Sequence, residues 1–449
     1  MSIFSLLINK LKNQKIYFPI ILLLSWLGFT IFFFCFGPWK YKLTHVYVFY
    51  AYLLLVHIAL FFGYIRGQSR NGGGTKIKID YFRFVEITII ISVVYIIIKL
   101  ILTSGGNLSH FISTFKNAKV AYLNSSLRYP NFFSYTDIFF FPILIIAITN
   151  TIYFYKKLRK RYRYSVYLMI LITMASAIGA ATRGQLAQII MLSFAALILA
   201  IYQKNIVFRH YHKALMLFFA ACVLIGFFAY SNYLIKTREA IDSAVNPITV
   251  ERSNANYFLY KITPENLHPL INSTSFYVSH SYYQLNKALN LPCKGLGFGL
   301  SNSYFIMRNI EKVTGWSGLE NISYGRRLDK EIGASYGLFW STFYTWIASD
   351  FSFPGTIIVV FFIGFLLSLA LKDALFCLNP LAVTSFCTIF HFIFHFPFNN
   401  PLQDGSGLTT CFVIPVIWLI SRKSDLSENY LNQIRISFQD IFKAFRSRK

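Results

Sequence analysis

Apolar runs of about twenty residues recur along the whole chain, and this pattern sets the strongest limit on its fold. Each run is long enough to cross the hydrocarbon core of a bilayer as an α-helix. Charged residues make up only 13% of the 449 positions, about half the share that is usual in soluble domains. We therefore predict an all-α polytopic membrane protein.

Ten of these runs are predicted to be transmembrane helices. Lysines and arginines concentrate in the connections on one side of them, as in "KKLRKRYR" at 156–163. Cytoplasmic connections carry such an excess, so both termini are expected in the cytoplasm. The ten spans are 16–36, 44–64, 84–104, 133–155, 164–181, 185–202, 213–235, 353–372, 379–397 and 406–421.

The segment 331–355, "EIGASYGLFWSTFYTWIASDFSFPG", complicates this count because it is apolar in its middle. An eleventh span here would move either the basic tail or the 156–163 connection to the outer face. We prefer a re-entrant or interfacial helix that packs against the bundle, which is tolerated where protein rather than lipid surrounds it.

This topology divides the chain into four regions. Residues 1–235 form a membrane bundle of spans one to seven, and residues 353–421 add spans eight to ten. Between them, residues 236–352 form one large outer loop of short or re-entrant helices. Residues 422–449 form a basic cytoplasmic tail.

The net charge of +26 raises the question of a nucleic-acid partner. The chain has no glycine-rich phosphate loop and no basic, aromatic-interleaved domain large enough to bind nucleic acid. Membrane topology and contact with anionic lipid account for most of the excess positive charge. We therefore expect no nucleic-acid partner.

The metal-ligating residue types are sparse in the sequence. None of the six cysteines forms a C-x-x-C pair. His391 and His395 lie four residues apart in predicted span nine, but no carboxylate accompanies them. We therefore predict no metal site and no cofactor, and we expect these histidines to be buried among phenylalanines.

An arginine at membrane depth stands out in "GAATRGQ" at 179–185. Arg183 lies in a tight outward-facing turn between predicted spans five and six, and a charge at such a position is costly. The planar guanidinium suits a diphosphate because it donates two parallel hydrogen bonds. The alternative is a loop residue whose charge extends to the interface.

A second group of cations follows predicted span seven. Lys236 and Arg238 occur in "NYLIKTREAID", and Arg252 occurs in "VERSNANY". These side chains are candidates for a second phosphate site on the same face. Alternatively, they pair with the neighbouring acidic residues Glu239, Asp242 and Glu251.

Two residues of the outer loop are candidates for proton transfer, which needs an imidazole or a carboxylate near a sugar hydroxyl. His280 lies in "FYVSHSYYQLN", and Asp350 precedes the Pro354–Gly355 pair at the start of span eight. Glu331 is a further carboxylate in this loop. His280 equally suits a helix cap or a tyrosine partner, and Asp350 equally suits a helix N-cap.

Three motifs, in order, make the chain resemble the bacterial O-antigen polymerase family. The first is the "GAATRGQ" turn, and the second is "SFYVSHSYYQLNKALN" at 275–290 with the following "GLGFG". The third is "FWSTFYTWIASDFSFPGTIIVVFFIGF" at 339–365, similar to a family pattern that leads into a span. That pattern usually has glycine where this chain has Ser352.

The resemblance implies a membrane glycosyltransferase of the type-C-like architecture at the periplasmic face of the bacterial inner membrane. It would transfer a growing glycan from undecaprenyl diphosphate onto a sugar hydroxyl of another lipid-linked repeat unit. Arg183 would contact a diphosphate, the cations 236, 238 and 252 would form a second phosphate site, and Asp350 or His280 would be the base. Membrane lipid and a chain-length regulator are the expected partners.

Three other functions remain open at this stage. An O-antigen ligase has a similar fold but usually carries a histidine before the late span, which "FWSTFYTWIASD" lacks. A lipid-linked oligosaccharide flippase would favour two similar halves and smaller loops. A membrane scaffold without enzymatic activity would leave Arg183 unexplained.

Overall fold

The computed structural model describes residues 14–70, 72–75, 80–104, 131–179, 184–203, 225–234, 244–334 and 340–423. Within these ranges the regular structure is helical, apart from the two-residue strands β1 (Gly74–Thr75) and β2 (Arg422–Lys423), which pair antiparallel. The helices are α1 (Gln14–Phe36), α2 (Val46–Gln68), α3 (Tyr81–Ser104), α4 (Asn131–Tyr153), α5 (Lys160–Gly179), α6 (Gly184–Tyr202), α7 (Phe258–Ile262), α8 (His268–Leu289), α9 (Tyr304–Thr314), α10 (Gly318–Ile322), α11 (Tyr324–Ile332), α12 (Phe343–Cys377), α13 (Pro380–Phe394) and α14 (Gly405–Ser421).

Six of the helices in the described residues are long and apolar enough to cross a membrane, namely α1, α2, α3, α4, α6 and α12. The chain is therefore an α-helical polytopic membrane protein, as predicted. Predicted span five coincides with α5, and predicted spans nine and ten coincide with the shorter apolar helices α13 and α14. Of predicted span seven, only the helical segment 225–234 is described. The count of ten spans and the orientation of the termini stay predictions.

Helix α12 packs closely along α2, and glycines make this approach possible. A Cβ atom on Gly63 would overlap with the Phe361 carbonyl, and one on Gly364 would overlap with the Leu60 carbonyl. Small residues at such contacts let two helix backbones approach in a membrane. Gly63 and Gly364 thus fix α12 against α2.

A buried carboxylate fixes one end of the bundle. Asp373 of α12 accepts hydrogen bonds from the Gly73 backbone N–H at 2.5 Å, Trp418 Nε1 at 3.1 Å and Arg422 Nε at 2.8 Å. These donors come from the β1 connection, α14 and β2. Asp373 therefore ties together segments that are far apart in the sequence.

The described residues between 244 and 342 cover the opposite end of the bundle, which we call the cap end. Their longest helix, α8, contacts the end of α1 and the connection after it. Trp39 Nε1 donates to the Asn272 carbonyl at 3.2 Å, and the hydroxyls of Thr30 and Tyr282 lie 2.8 Å apart. The large loop therefore packs against the helix ends.

Helix α12 is kinked at Ser352, whose backbone angles are φ 63° and ψ 169°. The kink separates a buried arm, residues 343–350, from the body of the helix. The Tyr344 hydroxyl lies 3.2 Å from His57 Nε2, and His57 is about 16 Å along α2 from the cap end at 1.5 Å per residue. The arm therefore starts deep in the bundle and has the geometry of a re-entrant segment.

Candidate functional site

Asp350 joins the second and third motifs. Its carboxylate is fully buried at the end of the α12 arm. Asp350 Oδ1 accepts hydrogen bonds from the Ser301 backbone N–H at 2.9 Å and from Ser301 Oγ at 2.7 Å. Asp350 Oδ2 accepts from Asn302 Nδ2. We call residues 295–303 together with 349–350 the motif junction.

The glycine-rich part of the motif junction packs directly on the arm. The backbone N–H of Gly297 donates to the Ser349 carbonyl at 3.1 Å. A Cβ atom at Gly297 would overlap with Ser301 Oγ and with the Asp350 carboxylate. Gly295 and Gly299 have φ angles of 142° and 96°, which side chains disfavour. The "GLGFG" sequence thus lets the loop approach the carboxylate.

Both oxygens of Asp350 are therefore occupied by donors of one loop. A proton acceptor must reach the hydroxyl of its substrate, whereas this carboxylate faces Ser301 and Asn302. In this arrangement Asp350 positions the loop, and a role as base would require the loop to move away.

His280 is also buried, in the middle of α8. Its ring stacks on Phe276 at 4.5 Å, and Nδ1 donates to the Phe276 carbonyl at 2.8 Å. Burial lowers the pKa of His280 to about 4, although the carbonyl groups of Phe276, Trp340 and Tyr277 oppose this shift. The imidazole is therefore neutral at pH 7, and as a base it is weaker than an exposed histidine.

The predicted cations fall mostly outside the described residues. This holds for Arg183, Lys236 and Arg238. Arg252 is exposed and belongs to a short β-bridge with Val245. Its neighbour Glu251 forms an ion pair with Lys42 at 3.4 Å. Arg252 thus lies near the connection after α1, at the cap end.

The structure reveals a charged cluster that we did not single out from the sequence. Lys99 of α3 pairs with Asp137 of α4, with Nζ 2.8 Å from Oδ2. The Tyr95 hydroxyl donates to Asp137 Oδ1, and Lys99 Nζ lies 3.3 Å from that hydroxyl. The sequence does contain an indication of this cluster, because Lys99 interrupts the apolar run "YIIIKLIL" at 95–102. A charge inside a membrane span is energetically unfavourable and often functional.

A small cavity adjoins Lys99. Its volume is about 20 Å³, and it lies among α3, α4, α5 and α6. Thr173, Ser176 and Gln185 contribute polar side chains to its lining. Ser176 belongs to α5, which ends before residues 180–183, and Gln185 belongs to α6, which begins after them. The first motif therefore adjoins this cavity through Gln185, its last residue.

The motif junction and the charged cluster lie at the same end of the bundle. Helix α9 begins directly after the motif junction, and its Asn309 accepts a hydrogen bond from the Tyr135 hydroxyl at 2.9 Å. The ring of Phe305 lies 6.4 Å from that of Tyr135. Tyr135 is two residues from Asp137, so α9 links the two sites.

Of the two histidines near the end of α13, His391 is buried as expected, whereas His395, the residue that follows the helix, is half-buried. The rings of His391 and His395 lie 4.2 Å apart, and His395 Nδ1 donates to the His391 carbonyl at 2.9 Å. Among the described residues, no group of three or more histidine, cysteine, aspartate or glutamate side chains is arranged to hold a metal ion.

Comparison with known proteins gives no match, whether with family models, curated proteins or solved structures. The resemblance to O-antigen polymerases therefore rests on the three motifs. The structure adds that the second and third motifs meet where Gly297 packs on Ser349 and Asp350.

Proposed function

We propose that this chain is an O-antigen polymerase, a glycosyltransferase of the bacterial inner membrane. It transfers a growing glycan from undecaprenyl diphosphate to a sugar hydroxyl of another lipid-linked repeat unit. The observation that carries the proposal is the motif junction, because Gly297 of the second motif packs directly on Ser349 and Asp350 of the third. In this proposal the cap end faces the periplasm.

The reaction breaks the bond between the anomeric carbon and the diphosphate oxygen, and the bonding electrons stay with the diphosphate. A new bond forms between that carbon and the acceptor oxygen, whose proton passes to a base. Negative charge grows on the leaving diphosphate, so cations aimed at it stabilise the transition state. We assign this role to Arg183, and a second phosphate site to Lys236, Arg238 and Arg252.

Asp350 and His280 are the two residues proposed to take the proton from the acceptor hydroxyl. Each would have to meet a different condition to do so. Asp350 must exchange its loop hydrogen bonds for the acceptor hydroxyl. His280 must work with a pKa lowered to about 4. Asp350 also holds the motif junction in place, and paired variants of Asp350 and Asn302 separate its two roles. A chain-length regulator is the proposed protein partner.

Complementation of a polymerase-deficient strain of the same serotype tests the proposal. Wild type should restore a ladder of O-antigen lengths on a lipopolysaccharide gel, and Arg183→Ala should reduce it to a single repeat. Arg161→Ala is the matched control, because Arg161 is exposed at the start of α5, whereas Arg183 follows the end of that helix in the sequence. Loss of Arg161 should leave the ladder intact.

Membrane levels of all three proteins are measured by immunoblot. No ladder from a well-expressed wild type would refute the polymerase. Loss of every O-antigen band in the deficient strain would favour a ligase or a flippase instead. An intact ladder with Arg183→Ala would remove that arginine from the site.

A further inference from the structure

The Lys99–Asp137 pair is not explained by stability alone. The two side chains are only 18% and 20% exposed, so both charges have lost most of their contact with solvent. Replacing a buried ion pair with apolar residues often leaves stability unchanged or raises it. Ionisable groups within spans commonly mark a binding site or a pathway, and the adjoining cavity shows where such a ligand would lie.

We propose that the cavity among α3, α4, α5 and α6 binds a phosphate group, with Lys99 as its charged ligand. Ser176 and Gln185 line the cavity beside Lys99 and carry hydrogen-bond donors. The remaining lining includes Ile96, Leu144 and Ile189, which suits an apolar chain attached to the phosphate. Ammonium, amide and hydroxyl donors together favour a negatively charged, oxygen-rich ligand.

Asp137 and Tyr95 position the Lys99 ammonium. The ion pair with Asp137 holds the ammonium group close to α4. The ring of Tyr95 stacks on Phe140 at 5.4 Å, and the Tyr95 hydroxyl donates to the Asp137 carboxylate. Lys99 Nζ lies 5.6 Å from the centre of the Tyr95 ring. These contacts hold the ammonium group next to the cavity.

The size of the cavity sets how the ligand enters. A volume of about 20 Å³ holds one water-sized group, and so a single phosphate oxygen. Gln185, in the first turn of α6, is exposed, so the remaining phosphate oxygens would lie at the cavity mouth beside the start of α6. The proposed function supplies the ligand, because each of its substrates carries phosphate on an isoprenoid chain, and this inference rests on it for that identity.

The test measures binding to the purified full-length protein in detergent by native mass spectrometry. The probes are undecaprenyl phosphate, inorganic diphosphate and phosphatidylglycerol. Lys99→Gln should weaken undecaprenyl phosphate binding by about tenfold or more, the usual value of a hydrogen bond to a charged group. Lys42→Gln is the matched control, because Lys42 is a 90% exposed lysine at the cap end, and it should bind as wild type.

Asp137→Asn provides a second variant that does not depend on how Lys99→Gln folds. Removing the competing carboxylate should tighten phosphate binding, whereas a purely structural pair would give weaker or unchanged binding. Unchanged affinity in Lys99→Gln, or unchanged or weaker binding in a folded Asp137→Asn, would overturn the site.

The probes distinguish the source of the phosphate. Selective binding of undecaprenyl phosphate supports the lipid, and equal dependence on Lys99 for inorganic diphosphate supports a phosphate site that also accepts soluble anions. Equal binding of phosphatidylglycerol would refute a specific site. If the protein binds phosphate through Lys99 but fails complementation, the phosphate site is supported and the polymerase function is refuted.

Discussion

Gly297 lies so close to Asp350 that a Cβ atom on the glycine would overlap with the carboxylate. The Asp350 oxygens accept from Ser301 and Asn302, and the Gly297 backbone N–H donates to the residue before Asp350. The loop and the arm of α12 therefore form one packed unit. Such close packing requires a residue without a Cβ atom at position 297.

Gly297→Ala should consequently destabilise the protein. The added methyl group must displace Ser301 or the arm, and overpacking of this kind costs about 1–3 kcal/mol. Thermal unfolding of the purified protein in detergent measures the effect. Gly28→Ala is the control, since a Cβ atom there meets no other atom within 4 Å. Equal unfolding temperatures for the two variants would contradict the packing at Gly297.

The apolar pattern of the sequence predicted the helical membrane bundle, because the length of an apolar run is a local property. The motif junction could not be predicted in the same way. Asp350 and Ser301 are 49 positions apart, and no local period connects them. The sequence offered Asp350 as a helix cap or a base, whereas the structure shows a carboxylate buried under a loop.

The charged cluster shows a second limit of prediction from the sequence. Lys99 is visible in the sequence as a single charge in an apolar run, but Asp137 lies 38 positions away in another helix. Only packing of α3 against α4 identifies the pair. The kink at Ser352 was not predicted. The sequence showed only that Ser352 stands where the resembling family usually has glycine, and its φ of 63° lies in a region that glycine adopts most readily.

Reciprocal exchange of two side chains separates the roles of Asp350. In Asp350→Asn the new amide group faces Asn302 Nδ2, which also donates to the Gly299 carbonyl at 3.3 Å. Either two donors meet, or Asn302 turns its amide and loses the bond to Gly299, so stability should fall by about 1–3 kcal/mol. Adding Asn302→Asp restores one donor and one acceptor at this contact. If Asp350 is an anchor, the double variant should regain both the unfolding temperature and the O-antigen ladder.

A double variant that regains stability but makes no ladder would instead identify Asp350 as the proton acceptor. The single variant Asn302→Asp is needed to complete the cycle. It should be the least stable of the set, because two carboxylates then face each other in a buried position.

Ser352→Gly should stabilise the protein. Ser352 has φ 63° and ψ 169°, a backbone region occupied essentially by glycine, and holding another residue there costs about 1–3 kcal/mol. Ser352→Ala is the control, because it removes the hydroxyl but keeps the Cβ atom. A higher unfolding temperature for glycine alone is expected, whereas an equal gain for alanine would attribute the effect to the hydroxyl.

The neutral form of His280 should make the folded state sensitive to acid. The folded-state pKa is about 4, and the unfolded chain has a value near 6.5. Between these two pH values the unfolded chain binds the proton and the folded chain does not, so stability falls as pH decreases from about 6.5 to about 4. The full loss is about 3 kcal/mol for this one group, at about 1.4 kcal/mol per pH unit.

His280→Phe isolates this contribution, because phenylalanine preserves a ring next to Phe276 but cannot take up a proton. Its absolute stability should be lower, since the hydrogen bond to the Phe276 carbonyl is lost. The informative quantity is the slope of unfolding free energy against pH, to which the other histidines contribute equally in both proteins. A shallower slope between about pH 6.5 and 4 in the variant is expected. Parallel slopes would mean that His280 binds protons alike in both states, and its burial in α8 would then not govern its charge.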